Sequence, residues 1–307
     1  MKKIALVILH FNNKDLTLDC LNSVKSLIIK GFSLEVIIVD NSSKKELLDL
    51  RSKFKEFVFL NPEKNLGFTG GNNLGIKKAL ENKADYIFII NNDTILDKNI
   101  LISLLKEMEG DQSIGILGPK IYFAPGYEFH KEKYKPTDEG KVIWYAGGLI
   151  DWQNILASHR GVDEVDQGQY GQKKETDFVS GCAMFVRREV FDKVGLFDDK
   201  YFLYWEDVDL CTRVKKANFK VMFFPQAKLW HANAGSSEVG GSLHDYYMTR
   251  NRMLFGLRYG SFKVKHALCR ESLKLTFKGT PWQKTGIRDF YLRRFGKGSF
   301  FKKDDKI

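Results

Sequence analysis

Cysteine is scarce in this chain and never closely paired. The four cysteines, Cys20, Cys182, Cys211 and Cys269, include no CxxC pair, which argues against a structural zinc site or a disulfide framework and favours buried reduced thiols. No apolar run approaches the length of about 20 residues that a membrane-spanning helix requires. The first apolar run, residues 4–9, has the length of a strand, and polar residues follow it without a cleavage site. We therefore expect no export signal and a cytoplasmic chain.

Acidic residues are also scarce, but only in the last fifth of the sequence. Residues 246–307 hold 16 Lys and Arg against 4 Asp and Glu, which leaves 33 against 34 in residues 1–245. The basic residues alternate with aromatic ones, a composition typical of a segment that lies on an anionic membrane surface. A helical cap with a solvated basic face would have the same composition. No nucleic-acid-binding motif accompanies the segment, so we expect no nucleic-acid partner.

Strand-length apolar runs, by contrast, are abundant, and segments of helical periodicity separate them. Strands are predicted at residues 4–9, 36–39, 57–60 and 86–90, and the first helix at residues 15–30. Residues 41–43 would cap the second helix. This order implies right-handed crossovers and a mostly parallel sheet flanked by helices, which is an α/β fold. Ligands of such sheets bind beyond the carboxyl ends of the strands, and three polar clusters lie there, at residues 10–13, 40–42 and 91–93.

The second half of the sequence is less regular. Residues 124–141 contain proline, glycine and charges and predict a loop. Strands are expected at residues 178–186 and 219–224, and helices at residues 188–194 and 206–217. Residues 233–242, rich in Gly and Ser, are a candidate lid. Asp209 and Arg213 are spaced for a helical i,i+4 ion pair, which we expect on the surface.

One polar cluster and one histidine have the chemistry of a cation site. Asn91-Asn92-Asp93 follows a predicted buried strand, and a carboxylate with amides at a strand end can hold a divalent cation that bridges two phosphates. Asp93 would equally suit a turn or a helix cap. Histidine is a common ligand of transition metals, which makes His231 a candidate ligand, although beside Trp230 it could serve for packing alone.

Two further segments have the chemistry of a substrate site. Trp205-Glu206-Asp207-Val208-Asp209 opens a predicted helix with three carboxylates. Acids at this end interact favourably with the helix dipole, which is a sufficient structural reason for them, but one could instead take the proton of an attacking hydroxyl. A glycine-rich helix entry at residues 65–75 allows backbone N–H groups to approach a ligand. Its spacing matches neither a Walker A loop nor the dinucleotide fingerprint.

The joint order of these segments resembles the inverting GT-A glycosyltransferases of family 2, and within them the rhamnosyltransferase-like branch. The resemblance covers about residues 4–260, and five stretches carry it: residues 7–12, 36–43, 65–72, 88–93 and 179–209. It implies the GT-A fold, with a Rossmann-like, mostly parallel sheet flanked by helices. It also implies a nucleotide-sugar-binding half at residues 1–115, an acceptor-binding and catalytic half at residues 116–245, and a helical C-terminal segment at residues 246–307.

The resemblance implies roles for single residues as well. Asp207 matches the catalytic base of the family, with Glu206 beside it as the lesser candidate, and Trp205 would form part of the acceptor site. The residues matched to nucleotide binding are His10, Asn12, Asp40, Asn65, Gly67 and Asn92.

The implied reaction depends on a divalent cation, Mn²⁺ or Mg²⁺, whose ligands would be Asp93 and His231. Asn91 stands where the family has its first acid, which leaves Asp93 as the only carboxylate of that pattern. Asp207 would take the acceptor proton while the cation neutralises the leaving diphosphate, and one displacement would invert the anomeric carbon. The implied partners are a nucleotide diphosphate sugar, with dTDP-rhamnose expected first, and a saccharide or lipid-linked saccharide acceptor at the inner face of the cell membrane.

Two other function classes fit part of the sequence. A non-catalytic nucleotide-sugar binding module would explain the missing acid at Asn91, but it would not need Asp93, Asp207 and His231 together. A sugar nucleotidyltransferase requires a glycine-rich loop followed by Arg and Lys near the N-terminus, and residues 10–14 offer none. Hydrolysis of a sugar nucleotide that needs both a divalent cation and Asp207 would separate the enzyme from the binding module.

Overall fold

The computed structural model describes residues 1–42, 47–233 and 240–302 of the chain. Ser43 of the predicted helix cap and residues 234–239 of the candidate lid lie outside the described residues. The strands are β1 Lys2–His10, β2 Phe32–Asp40, β3 Val58–Leu60, β4 Tyr86–Asn91, β5 Thr94–Leu96, β6 Ile114–Phe123, β7 Ile143–Tyr145, β8 Gly148–Asp151, β9 Leu156–His159, β10 Lys174–Glu175, β11 Ala183–Arg187 and β12 Lys220–His231. The helices are α1 Lys14–Lys25, α2 Leu48–Lys53, α3 Gly67–Glu81, α4 Ile100–Gly110, α5 Arg188–Val194, α6 Glu206–Lys216, α7 Ser242–Tyr259, α8 Phe262–Lys278 and α9 Pro281–Tyr291, with 3-10 turns at Lys131–Lys133, Pro136–Asp138 and Phe300–Lys302.

A mixed sheet forms the centre of the molecule, with the strand order β10-β12-β6-β11-β4-β1-β2-β3. The pairs β4–β1, β1–β2 and β2–β3 are parallel, as the alternation of strands and helices predicts. β11 runs antiparallel between β4 and β6, whereas β6 and β12 pair in parallel. β5 and β7 add to β12 and β6, and β8 and β9 form a separate hairpin. The predicted α/β fold with a mostly parallel sheet is confirmed.

The sheet is buried on both faces because its first strands carry apolar side chains in both directions. Residues 4–8 of β1 are completely buried, which is the pattern of a parallel strand covered by helices. α3 lies against β1 through glycines: a Cβ at Gly71 would be 2.4 Å from Leu9 Cδ1, and one at Gly75 would be 2.4 Å from Val7 Cγ1. Close approach of α3 therefore depends on the missing side chains.

Some element boundaries differ from the prediction. α1 ends at Lys25 rather than at residue 30, and the N–H of Ile28 instead donates to Lys98 O at 2.9 Å. The predicted strand 178–186 begins only at Ala183, because the residues before it form a turn. α2 begins at Leu48 with no side-chain cap, and the side chains of Asn41 and Ser42 bond elsewhere.

The C-terminal helices share the core of the sheet domain. Met253 and Phe255 of α7, Leu268 of α8 and Ile287 of α9 are buried in one cluster with Trp205 and Val208. Within the described ranges, no helix combines the length and the apolar character needed to cross a bilayer. Cys20, Cys182 and Cys211 are free and buried, as expected, and Cys269 is half-buried.

Candidate active site

The predicted polar clusters meet at one edge of the sheet. In the register of the parallel strands, His10 at the end of β1 lies beside Asp40 at the end of β2, and Leu9 lies beside Asn91 at the end of β4. The three clusters therefore lie together at the carboxyl edge of adjacent strands, where ligands of parallel sheets bind.

His10 and Asn92 are joined through Thr17 at the start of α1. His10 is completely buried, and its Nδ1 lies 2.8 Å from Thr17 Oγ1. Asn92 Nδ2 donates to the same hydroxyl at 2.7 Å and to the carbonyl of Asn12 at 3.2 Å. Asn12 itself is exposed and has a φ of 60°. Thr17, which carried no sequence signal, thus orients two of the predicted nucleotide-binding residues.

Asp40 is buried and already holds hydrogen bonds within the protein. Its Oδ1 accepts from Ser42 Oγ at 2.7 Å and from the Ser42 N–H at 3.3 Å, and its Oδ2 accepts from Asn61 Nδ2 at 3.2 Å. A carboxylate oxygen can accept two hydrogen bonds, so Oδ2, which accepts from Asn61, retains capacity for a ligand donor.

A turn before α3 brings Asn65 and Gly67 to the same edge, and Asn41 holds that turn. Asn41 Nδ2 donates to Asn65 Oδ1 at 3.0 Å and to Gly67 O at 3.1 Å, while its Oδ1 accepts from the Leu66 N–H at 2.9 Å. Gly67 has a φ of +73°, and a Cβ there would be 2.5 Å from the Phe202 ring. Glycine is therefore required at this position both for its conformation and for space.

Asp93 and His231 come together although 138 positions separate them in the sequence. β5 pairs with β12 so that Thr94 lies opposite His231, and the Ala232 N–H donates to Asp93 O at 2.9 Å. Asp93 Oδ1 lies 3.0 Å from His231 Nε2. Burial opposes a charge on the imidazole, but Cys182 and the Asp93 carboxylate together hold the pKa of His231 well above its usual value.

The donor set of Asp93 and His231 fits a cation that is also bound by substrate. Among the residues that the structure describes, no group of three or more His, Cys, Asp or Glu side chains could hold a metal ion. One carboxylate and one imidazole leave most coordination positions to other oxygens. Mg²⁺ sites in enzymes commonly combine one or two carboxylates with substrate phosphate oxygens and water, and imidazole is a ligand that transition metals accept.

Trp144 of β7 covers His231 and was not found by sequence reasoning. Its ring lies edge-on to the His231 ring at 4.6 Å between centroids, and the His159 ring packs on it at 4.5 Å. Burial lowers the pKa of His159 to about 4, so His159 is neutral at physiological pH. Nothing in the irregular sequence around β7 distinguishes Trp144 from other aromatic residues.

Asp207 lies in the first turn of α6 and is tied to the turn before β11. Its Oδ2 accepts from the Gly181 N–H at 2.9 Å, and its Oδ1 accepts from the Val208 N–H at 2.8 Å. The next residue, Cys182, accepts through its carbonyl from the Asn91 N–H at 3.0 Å. Gly181 and Cys182 therefore connect the Asp207 carboxylate to the end of β4, next to Asp93.

Electrostatics distinguish Asp207 from its neighbour Glu206. Burial raises the pKa of Asp207, while the N–H donors of Gly181 and Val208 oppose the rise. Burial and the nearby Asp207 charge raise the pKa of Glu206 well above its usual value. Two adjacent buried carboxyls favour a single negative charge, and the backbone donors place that charge on Asp207.

Trp205, expected in the acceptor site, is a core residue with 3% of its surface exposed. Its ring packs on Phe255 of α7 at 4.9 Å. Phe68 is a half-buried aromatic residue near Asp207. Its ring would be 2.9 Å from a Cβ at Gly181, and that Cβ would be 3.7 Å from Asp207 Cβ. The acceptor role of Trp205 stays a prediction.

The predicted Asp209–Arg213 pair exists, but it does not lie on the surface. Arg213 Nε donates to Asp209 Oδ2 at 2.8 Å, and the Asp209 side chain is completely buried. Its Oδ1 accepts from Arg258 Nη1 and Tyr259 Oη, each at 2.8 Å. The expectation of a surface pair was wrong because α7 covers this side of α6, which helical spacing cannot reveal.

Comparison with known proteins agrees with this architecture. Residues 5–195, more than half of the chain, match the sequence model of Glycosyl transferase family 2. The N-acetylglucosaminyl-diphospho-decaprenol L-rhamnosyltransferase of Mycobacterium tuberculosis is 40% identical over 153 residues, which cover 50% of this chain and 48% of that protein. The dTDP-rhamnosyl transferase RfbF of Shigella flexneri is 25% identical over 234 residues, covering 75% of this chain and 72% of RfbF.

Solved structures extend the likeness of fold to most of the chain. A crystal structure of GalNAc-T7 with UDP, GalNAc and Mn²⁺ superimposes with a TM-score of 0.59 at 17% identity, covering 92% of this chain and 58% of that one. The chain spans about half the length of some sequence relatives that it matches. The match of residues 5–195 and the shared architecture show that this chain belongs to glycosyl transferase family 2 and has the GT-A fold.

Proposed function

We propose that this chain transfers a sugar from a nucleotide diphosphate donor to a hydroxyl acceptor, with inversion at the anomeric carbon. The observation that supports it best is the connection from Asp207 through Gly181 and Cys182 to the strand end that carries Asp93. A candidate base and a candidate phosphate-binding group thus lie at one edge of the sheet. The names of two relatives support L-rhamnose as the sugar, dTDP-rhamnose as the donor and a lipid-linked saccharide as the acceptor.

Asp207 is proposed as the general base. As the acceptor oxygen bonds to the anomeric carbon, its proton passes to an Asp207 oxygen, and the bond between the anomeric carbon and the diphosphate oxygen breaks. A raised pKa makes the carboxylate a stronger base. The Gly181 and Val208 donors hold the carboxylate in one orientation, while burial and the Asp207 charge favour the protonated form of Glu206 beside it.

Asp93 and His231 are proposed to hold the divalent cation together with the donor diphosphate. The cation would supply positive charge for the leaving diphosphate. The nucleotide is proposed to lie along His10, Asn12, Asp40, Asn65, Gly67 and Asn92, which all lie near the carboxyl edge of β1, β2 and β4. Asp40 would accept from the nucleobase through Oδ2, which retains an acceptor site.

The transfer reaction tests the proposal directly. The protein is incubated with dTDP-rhamnose or UDP-hexoses, a lipid-linked saccharide acceptor and Mn²⁺, and the product linkage is read by NMR. Asp207→Asn should lower kcat by about 10²- to 10⁴-fold, the usual contribution of a general base. Normal turnover by this variant would exclude Asp207 as the general base. A product that retains the anomeric configuration of the donor would exclude the inverting mechanism. Binding of the donor without transfer or cation-dependent hydrolysis would instead indicate a binding module.

The cation site is tested by binding rather than turnover. dTDP should raise the melting temperature of the wild-type protein more with Mn²⁺ than with EDTA, because only the folded state binds the complex. Asp93→Asn should abolish that difference, while Asp97→Asn, which changes a half-buried carboxylate after β5, should retain it. An unchanged Mn²⁺ effect in Asp93→Asn would assign the cation elsewhere.

We also propose that α8 lies on an anionic membrane surface at the cytoplasmic face. Phe262, Leu273 and Phe277 expose 85%, 61% and 76% of their surfaces. The helix carries five Lys and Arg, and its one acid, Glu271, is paired with Arg252 at 2.7 Å. Exposed apolar side chains among uncompensated basic ones suit an interface with anionic lipid.

Vesicle pelleting tests whether α8 binds an anionic membrane or only faces water. The full chain carrying Lys263→Gln, Arg270→Gln and Lys274→Gln should bind vesicles of anionic lipid several-fold more weakly than wild type. A control with Lys131, Lys133 and Lys135 changed to Gln loses the same charge from an exposed loop and should bind normally. Equally weakened vesicle binding by both variants would indicate a general charge effect. Unchanged vesicle binding by the α8 variant would exclude α8 as the membrane-binding surface.

A further inference from the structure

The loop that leads into α6, the helix that carries Asp207, has a backbone that needs support from other elements. Phe202, Tyr204 and Trp205 have φ values of 66°, 67° and 74°. For residues other than glycine, this left-handed conformation is strained, because Cβ comes too close to the following carbonyl oxygen. Trp205 immediately precedes α6, so the conformation of this loop sets the position of Asp207, two residues further on.

Asn251 of α7 holds the carbonyl groups of this loop. Its Nδ2 donates to Leu203 O at 2.7 Å and to Tyr201 O and Tyr204 O, both at 2.9 Å. The side chain is completely buried, so solvent does not compete with it for these carbonyl groups. The two hydrogens of this NH2 group are shared among three carbonyls of the loop.

Arg250 adds a second attachment from the same helix turn. Its Nη2 donates to Tyr201 O at 2.9 Å and to Lys200 O at 3.2 Å, and its Nη1 donates to Gly296 O at 2.8 Å. The guanidinium is also completely buried, and a Cβ at Gly298 would be 2.7 Å from Nη1. A buried arginine that is surrounded by backbone carbonyls rather than carboxylates serves to hold backbone in place.

We propose that Arg250 and Asn251 form a loop clamp that positions Asp207 for proton transfer, an inference that rests on the proposed role of Asp207. Both are positioning residues, since they act through the loop of residues 200–205. Without the clamp, the loop relaxes toward ordinary φ values and the start of α6 shifts away from the Gly181 N–H. Gly67 packs against Phe202 of this loop, but the proposed nucleotide residues His10, Asn12, Asp40 and Asn92 lie on β1, on β2 and in the turns after β1 and β4. Donor affinity should therefore change less than turnover.

Kinetics of clamp variants against a matched control test this. Arg250→Lys and Asn251→Ser are compared with Arg187→Lys, at temperatures well below each melting point. Arg187 is also buried and donates to Met108 O and Ile114 O, but at the opposite edge of the sheet. The clamp variants should lose about 10- to 100-fold in kcat, as expected for a displaced catalytic group, with dTDP affinity in the presence of Mn²⁺ within about threefold of wild type. Arg187→Lys should retain kcat.

The outcomes distinguish this inference from the proposed function. If Asp207→Asn is inactive but folded clamp variants turn over at the wild-type rate, the clamp is excluded and the base stands. If Asp207→Asn turns over normally, the proposed base itself is excluded. A loss of dTDP affinity in proportion to kcat, or an equal loss in Arg187→Lys, would indicate general destabilisation and overturn the clamp.

Hydrogen exchange tests the clamp in the wild-type protein, so the result does not depend on whether a variant folds. The N–H groups of Tyr201 and Leu203 donate to Asp198 O and Tyr201 O. If the clamp holds the loop, these amides should exchange as slowly as those of α7. Exchange at the rate of an exposed turn would overturn the proposal.

Discussion

Asp209→Asn tests how much the buried hydrogen-bond network between α6 and α7 contributes to the free energy of unfolding. Asp209 accepts hydrogen bonds at 2.8 Å from Arg213, Arg258 and Tyr259, and asparagine keeps its shape but removes the charge. Breaking a buried ion pair costs about 3–5 kcal/mol, because a charge is left without its partner. The two arginine side chains are 20% and 29% exposed, so water partly solvates them. We therefore expect the lower end of that range, about 3 kcal/mol.

The expected change in melting temperature follows from the size of the chain. Unfolding entropy of about 2.1 cal/mol/K per residue, over 307 residues, is about 0.6 kcal/mol/K. A loss of about 3 kcal/mol should thus lower the melting temperature by about 5 °C in scanning calorimetry.

The control is Asp192→Asn, which removes another i,i+4 pair with arginine. Asp192 lies 3.6 Å from Arg188 and is 59% exposed, so its loss should cost less than about 0.5 kcal/mol and shift the melting temperature by less than about 1 °C. Equal shifts in Asp209→Asn and Asp192→Asn would refute the reasoning that burial distinguishes the two pairs.

Two further variants test the electrostatics and the packing of the site. Because burial and the Asp207 charge raise the pKa of Glu206, Glu206 contributes stability that is present below its ordinary pKa of 4.5 and is lost as the pH rises through its folded-state pKa. Glu206→Gln should therefore melt at a higher temperature than wild type at pH 8 and at the same temperature below pH 4.5; a difference independent of pH would contradict this. Gly67→Ala should cost about 1–3 kcal/mol more in urea unfolding than Gly195→Ala, since both have φ near +75° but only Gly67 is blocked, by Phe202; equal costs would show that Phe202 moves freely.

Several features of the candidate site could be predicted without the structure, and others could not. The strand ends at His10, Asp40 and Asn91 followed from apolar runs, since the place where a run stops is visible locally. The pairing of Asp93 with His231 followed only from family resemblance, and the structure places the two side chains 3.0 Å apart. Trp144 and Thr17 escaped notice because their contacts join elements whose pairing no local pattern specifies.

The sequence by itself determined the order of strands and helices, because apolar periodicity is a local property and the parallel pairing of β4, β1, β2 and β3 follows from it. It also determined which polar residues stand at the strand ends. Only the tertiary structure decided that Asp209 is buried, that Arg250 and Asn251 hold the loop before Asp207, and that the C-terminal helices share the core. Those contacts join residues about 50 positions apart, and burial there depends on which helix face another helix covers, which spacing along one chain segment does not encode.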